Sequence, residues 1–227
     1  MKLVRYGQPG AEKPGLVDGD GTIRDLSAHV SDIAGATLLP ETLKKLAGLD
    51  AKSLPAVPAG TRLGSCVARP GNFIAVGLNF ADHAAETNNP IPKEPILFNK
   101  APNCIQGPND DVLIPPGSVK TDWEVELAVV IGKKASYIDE SEALDYVAGY
   151  CTSNDFSSRD LQLELPSGQW MIGKTLDQYA PIGPYFVTGD LVGNPNNLQV
   201  KTWVNGELRQ NSNTSDFIHN TQKMLSY

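Results

Sequence analysis

The chain has 227 residues and carries 19 Lys+Arg against 26 Asp+Glu, a formal net charge of −7. That length suits one large domain, or one domain with a small appendage, and is enough to bury a core without disulfide staples. The acidic balance and the lack of a Lys/Arg cluster argue against a nucleic-acid partner, and apolar runs such as Leu127–Ile131 are far too short to span a bilayer.

With 21 Gly and 17 Pro the chain is turn-rich, with many short strands expected. Its start, Met1-Lys2-Leu3-Val4-Arg5-Tyr6-Gly7, has neither an apolar h-region nor a small-residue cleavage site, so a cytoplasmic protein is expected. Residues 2–6 and 14–18 read as the first strands of a small hairpin unit. Thr42, Leu43, Leu46 and Leu49 lie at helical spacing and predict a helix over Pro40–Leu49. Ser53–Gly60, with Pro55, Pro58 and Gly60, reads as a linker; it divides a small N-terminal domain, residues 1–65, from a main domain, residues 66–227. Phe73–Gly77 is a buried-strand pattern and Ala81–Thr87 one or two helical turns. Asn88–Pro95 contains three prolines and is expected to be an irregular loop. Trp123–Ile131 alternates as a strand. Asp139–Val147 predicts a helix in which Asp139 and Glu142 form a capping box. Tyr150–Asn154 is a short strand. Leu198–Val204, Asn205-Gly206 and Glu207–Gln210 form a strong hairpin signal, because Asn-Gly supplies the two positive-φ residues of a type I′ turn. Ser215 is read as the cap of a helix running to the terminus, with Phe217, Ile218, Met224 and Leu225 apolar. That apolar stripe needs something to lie on, so relatives are expected to be longer at the C-terminus.

Nucleotide-binding glycine loops, the H-E-x-x-H zinc motif and the G-x-S-x-G elbow are absent. Cys66, Cys104 and Cys151 are odd in number and form no C-x-x-C pair; they read as small buried hydrophobes in a reducing compartment. Glu124 and Glu126 are i, i+2 on a strand otherwise rich in Val and Leu, and so share a face. Two such carboxylates are expensive there unless neutralised. Either a divalent cation does this, oxygen ligands favouring Mg²⁺, Mn²⁺ or Ca²⁺, or both side chains face water on a half-exposed strand. Asp155 follows an apolar strand in a polar turn, a placement that suits a third ligand and equally an Asx-turn or helix cap. His83 and Glu86, i, i+3 on a short helix, face the same way. A carboxylate beside an imidazole makes a general base that activates water; the alternative is an incidental surface pair. His29 and His219 have no such setting and are read as structural.

Five segments then resemble the fumarylacetoacetate hydrolase family, in its order and over about residues 66–227. They are Gly77-Leu78-Asn79-Phe80-Ala81-Asp82-His83-Ala84-Ala85-Glu86; Pro95-Ile96-Leu97-Phe98-Asn99-Lys100; Asp122-Trp123-Glu124-Val125-Glu126-Leu127 with Gly132-Lys133; Asn154-Asp155 with Ser158-Arg159-Asp160; and Gly173-Lys174 with Pro181-Ile182-Gly183-Pro184. The nearest resemblance is to the bacterial branch acting on 2,4-diketo-3-deoxy sugar acids or related small 2-oxo acids. It implies an α+β fold, a mixed β-sandwich roll with a small N-terminal domain, usually as a homodimer. It implies Glu124, Glu126 and Asp155 as ligands of Mg²⁺ or Mn²⁺ (Ca²⁺ also fits in crystals), and His83 with Glu86 as the water-activating dyad. Lys174 is implied to contact a substrate oxygen, Gln162 to be a polar substrate contact, and the loop after Glu86 to be a lid. Phe80 departs from the usual Tyr, Asn99 from the usual apolar residue, and nothing here matches the family's C-terminal segment.

The activity so implied is metal-dependent hydrolysis of a C–C bond in a small 2,4-dioxo acid. The same scaffold also suits a decarboxylase, tautomerase or lyase acting on a 2-oxo or ureidoglycolate-like acid through a metal-bound enolate. A third reading is a non-catalytic, metal-stabilised binding domain. None of them calls for a nucleic-acid or membrane partner.

Overall fold

A computed structural model describes residues 1–227. It opens with β1 (Lys2–Tyr6), β2 (Lys13–Val17) and β3 (Ile23–Asp25), followed by α1 (Pro40–Ala47). Then come β4 (Ile74–Gly77), α2 (Ala81–Glu86), β5 (Ile96–Asn99), β6 (Ile105–Gln106), β7 (Thr121–Asp122) and β8 (Val125–Ile131). The second half contains β9 (Val147–Asn154), β10 (Ser157–Ser158), α3 (Arg159–Leu163), α4 (Trp170–Lys174), β11 (Ala180–Pro181) and β12 (Phe186–Thr188). It closes with α5 (Gly189–Val192), β13 (Gln199–Val204), β14 (Glu207–Asn213) and α6 (Thr221–Ser226).

Six strands form the main sheet, in the order β3-β2-β1-β12-β9-β8, every pairing antiparallel. Strands on either side of residue 65 therefore share one sheet, and they share one core. Leu3, Leu16, Leu26, Ile33, Leu43 and Leu46 pack in the same cluster as Cys66, Ala148, Cys151, Ile182 and Phe186. All three cysteines are free and buried. Pro40 opens α1 at the position where its missing N–H costs nothing. Asn205 (φ 51°) and Gly206 (φ 82°) make the β13–β14 turn as the dipeptide predicts.

Three elements differ from expectation. β4, read as a buried strand, lies outside the main sheet in a two-stranded pair with β5 and leaves Ile74 exposed. The other two differ because a backbone group found another partner. Residues Glu140–Tyr146 form a 3₁₀ helix, and Asp139 makes no side-chain cap. The amide of Glu142 donates instead to the backbone carbonyl of Asp139 at 3.1 Å, closing a tight turn without the capping box. The C-terminal helix does not start at Ser215. Thr214–Asp216 is a single 3₁₀ turn capped by Asn213, and α6 starts only at Thr221, capped by Asn220. Buried Asn79 holds the intervening residues extended. Its carbonyl accepts from the amide of Ile218 at 2.8 Å, its Oδ1 accepts from the amide of His219 at 2.9 Å, and its Nδ2 donates to the carbonyl of His219 at 2.9 Å. A helix there would need those same amides. Phe217 bridges to Phe80, with ring centroids 4.8 Å apart, edge to face.

Asn79→Ala leaves the amide and carbonyl of His219 without partners and is expected to destabilise the fold by about 1–3 kcal/mol in urea denaturation. A change below about 0.5 kcal/mol would show that Asn79 does not hold the C-terminal segment.

Candidate active site

A cleft of about 1030 Å³ lies between α2, the loop that follows it, the ends of β8 and β9, helices α3 and α4, and the β13–β14 hairpin. Its carboxylates meet because of strand register. In the antiparallel β8–β9 pair Val125 lies opposite Asn154, so Glu124, just before β8, meets Asp155, just after β9. Two further bonds fix this corner. The amide of Asp155 donates to the carbonyl of Glu124 at 2.8 Å, and the amide of Glu124 donates to Asn154 Oδ1 at 2.9 Å.

Lys174, the last residue of α4, enters from the other side. Its Nζ donates to Glu124 Oε2 at 2.7 Å, Asp155 Oδ2 at 2.9 Å and Ser157 Oγ at 2.7 Å, so all three donors are used. The close approach depends on Gly173. A Cβ there would lie 2.6 Å from the Ser158 carbonyl oxygen and from the Gln162 amide nitrogen. The remaining oxygen of Asp155, Oδ1, accepts from Lys100 Nζ, which also donates to the carbonyl of Tyr179 at 3.1 Å. Lys100 is only 1% exposed. Arg159 completes the set. It pairs with Glu124 Oε1 at 2.7 Å, donates to Asp122 Oδ2 at 2.8 and 3.0 Å, and donates to Gln162 Oε1 at 2.9 Å.

Charge counting singles out Glu126. Asp122, Glu124, Glu126 and Asp155 are faced by three cations, Lys100, Arg159 and Lys174, and the ion pairs leave Glu126 out. Burial, followed by the negative charges of Glu124 and Asp155, pushes its carboxyl well above the usual range against the pull of Lys174 and Lys100. The three predicted ligands do not themselves close into a ready metal-binding group, because ammonium nitrogen sits between Glu124 and Asp155. The donor set nonetheless suits a hard divalent cation: oxygen only, negative in sum, and open to the cleft.

His83 and Glu86 stand on the rim of the same cleft, on α2. His83 Nδ1 is 3.8 Å from Glu86 Oε2, an ion-pair distance rather than a hydrogen bond, and their side chains are 45% and 82% exposed. Asp216 Oδ2 caps the helix by accepting from the amide of Asp82 at 2.7 Å. Thus the structure brings Glu124, Asp155, Lys174 and Gln162 into one bonded network, sets Glu126 against it unpaired, and keeps His83 and Glu86 apart at the rim. Sequence reasoning did not single out Lys100 or Arg159. Both stood in the quoted motifs, but an isolated basic residue carries no sign of the carboxylate it will meet.

Fold and cleft together define an α+β scaffold with an acidic, lysine-bridged pocket. The chain belongs to the fumarylacetoacetate hydrolase family: the family's C-terminal domain, fumarylacetoacetate (FAA) hydrolase C-terminal, matches residues 72–227. A Burkholderia multivorans protein named as a hydrolase is 53% identical over 227 residues, which is all of this chain and 80% of that one. Among solved structures, maleylpyruvate hydrolase from Sphingobium sp. SYK-6, in complex with manganese(II) and pyruvate, superposes with a TM-score of 0.82 at 27% identity, over 100% of this chain and 81% of that chain. The 5-carboxymethyl-2-hydroxymuconate delta-isomerase of Mycobacterium smegmatis gives a TM-score of 0.76 at 29% identity, over 100% and 80% respectively. No helix of the chain is long and apolar enough to cross a membrane.

The raised Glu126 carboxyl has a measurable consequence in the metal-free protein. Below its ordinary value of 4.5 the group is protonated both folded and unfolded. Above that, the unfolded chain releases the proton first, so the stability contribution of Glu126 falls as pH rises towards the folded-state pKa. Glu126→Gln is expected to remove this fall. The check is the wild-type-minus-variant difference in urea stability between about pH 4 and 8; a difference that does not change with pH would contradict it.

Proposed function

We propose that the protein is a divalent-metal-dependent hydrolase that cleaves a carbon–carbon bond in a small 2,4-dioxo acid. The observation that carries this reading is the unpaired Glu126 carboxylate beside the Lys174-bridged Glu124–Asp155 pair, in a cleft that also holds His83 and Glu86. The manganese and pyruvate bound by the Sphingobium maleylpyruvate hydrolase support it. Glu124, Glu126 and Asp155 would hold Mg²⁺ or Mn²⁺, which when bound supplies Lewis-acid polarisation of a 2-oxo acid's oxygens.

The chain's own residues take the following parts. His83, with Glu86 beside its Nδ1, removes a proton from water; the water oxygen forms a bond to C4 of the acid as the C4=O π pair moves onto its oxygen, and that pair returns to re-form the carbonyl as C3 leaves. The C3–C4 bond breaks, and its electron pair moves to give an enolate whose negative end is the C2 oxygen. Lys174 donates a hydrogen bond to that oxygen, and the proton held by His83 passes to C3. Since Lys174 has all three donors engaged, turnover requires it to give up at least one of its present bonds. The carboxamide of Gln162, oriented through Oε1 by Arg159, is left with its N–H groups for substrate. The 3.8 Å His83–Glu86 separation shortens in the substrate complex, as catalytic hydrogen bonds commonly do. The reading includes a homodimer acting in the cytoplasm; residues 1–65, expected as a separate small domain, share the main sheet and core of residues 66–227.

A second reading, isomerisation or decarboxylation of a 2-oxo acid, is favoured by the exposure of the His83–Glu86 pair and by the similarity to an isomerase. It dispenses with hydrolytic water.

Product analysis with a panel of 2-oxo and 2,4-dioxo acids and Mn²⁺ decides between them. Cleavage of a 2,4-dioxo acid to two acids is expected, with net addition of one water per turnover. His83→Ala is expected to lower kcat by about 10²–10⁴-fold while leaving Mn²⁺ affinity unchanged. A variant that keeps full hydrolytic kcat would remove His83 from the mechanism, and product without net addition of water would favour the second reading.

A further inference from the structure

The structure assigns Gln210 a direct contact with the bound acid, donating a hydrogen bond from its carboxamide nitrogen to a carboxylate oxygen. The inference deepens the reading above and rests on it.

β8 ends the six-stranded sheet, so the N–H groups on its outer side have no strand partner. The hairpin β13–β14 packs against that side without joining the sheet. Val125 lies between Glu124 and Glu126, and its N–H donates to Gln210 Oε1 at 2.9 Å. Thr202 Oγ1, opposite Gln210 on β13, donates to the same oxygen at 2.9 Å. The hairpin register shifts between Thr202 and Trp203, next to the residue that pairs with Gln210. Such a bulge re-aims side chains.

These bonds settle the orientation of the carboxamide. A backbone N–H can only donate, so the atom it meets is the oxygen, and the amide cannot be flipped. The oxygen is occupied twice. The nitrogen, with two donors, meets no acceptor in the protein, and Gln210 lines the cleft. The cationic donors around the carboxylates are already committed: Lys174 to Glu124, Asp155 and Ser157, Lys100 to Asp155 and Tyr179, and Arg159 to Asp122, Glu124 and Gln162, which leaves the carboxamide N–H groups of Gln162 and Gln210. Gln210 therefore offers free donors on a carboxamide held at Val125, the residue between Glu124 and Glu126. In a cleft with this much negative charge, an anionic ligand needs such a donor. A carboxylate oxygen, acceptor only, is the complementary group.

Gln210→Glu separates contact from scaffold, because it retains an acceptor for Val125 and Thr202 while deleting the two donors; the negative charge it adds is addressed by the salt control. The probe is pyruvate, titrated calorimetrically with Mn²⁺ present. The variant is expected to keep its melting temperature and Mn²⁺ affinity and to bind pyruvate about tenfold or more weakly. That loss should persist at about 0.5 M salt, where repulsion between unbonded charges is largely screened. In the wild type, the side-chain ¹H–¹⁵N signals of Gln210 are expected to shift on pyruvate addition, a measurement that holds even if the variant fails to fold. Unchanged pyruvate affinity, a loss that vanishes in salt, weakened Mn²⁺ binding or unmoved Gln210 signals would overturn the contact. If the wild type binds no pyruvate, both the contact and the proposed function fall. If binding depends on Gln210 but no 2,4-dioxo acid is cleaved, the hydrolase reading falls alone.

Discussion

The architecture of the cleft turns on one ammonium group. Lys174 Nζ joins Glu124 and Asp155, which flank different strands. Taking charges out of water is costly, and a buried ion pair often does no better for stability than well-packed apolar residues would. The pairing is understood better as an arrangement that holds carboxylates close together in the absence of any other cation. Backbone register brings them there: the Val125–Asn154 pair leaves Glu124 and Asp155 as neighbours at one end of a two-strand ladder. Gly173 lets α4 come close enough for Lys174 to reach them.

The rest of the molecule divides around that point. The main sheet and its apolar cluster, in which Leu3 and Phe186 are fully buried, give β8 and β9 a rigid base; each such side chain contributes about 1.5–3 kcal/mol. The rim is lighter. The six-residue α2 carries His83 and Glu86 with both side chains largely in solvent, and it is tied down mainly through Asn79, Phe80 and Asp82 to residues 216–219. A firm carboxylate centre beneath an exposed dyad is a sensible division where the rim must admit substrate and the centre must keep its geometry.

Much of this was legible in the sequence, for identifiable reasons. The Asn205-Gly206 turn, the Pro40 helix start and the alternation leading into β8 are local signals, and local physics decided them. The grouping of Glu124 with Asp155 was suggested by their residue type and the family resemblance, while the β8–β9 register that makes them neighbours carries no local signal. What stayed hidden depended on distant partners. The helix expected from Ser215 gave way to an extended segment because Asn79, far away in sequence, uses the amides of Ile218 and His219. The capping box at Asp139 lost to a backbone bond of equal reach. Lys100 and Arg159 showed nothing in sequence of the Asp155, Asp122 and Glu124 carboxylates they neutralise, and Gln210 looked like an ordinary polar residue on a hairpin strand.

The claim on which the account rests most heavily is that Glu126, left without a cation by its neighbours, completes a divalent-metal site with Glu124 and Asp155. Titration of the metal-free protein with Mn²⁺, followed by the loss of the free ion's electron paramagnetic resonance signal, tests it directly. The account predicts one tight Mn²⁺ per chain in the wild type, and an affinity weakened by more than roughly 100-fold in Glu126→Gln, since even residues that only support metal ligands are worth 10–100-fold. Equal Mn²⁺ affinity in the two proteins, or no stoichiometric binding by the wild type, would contradict it.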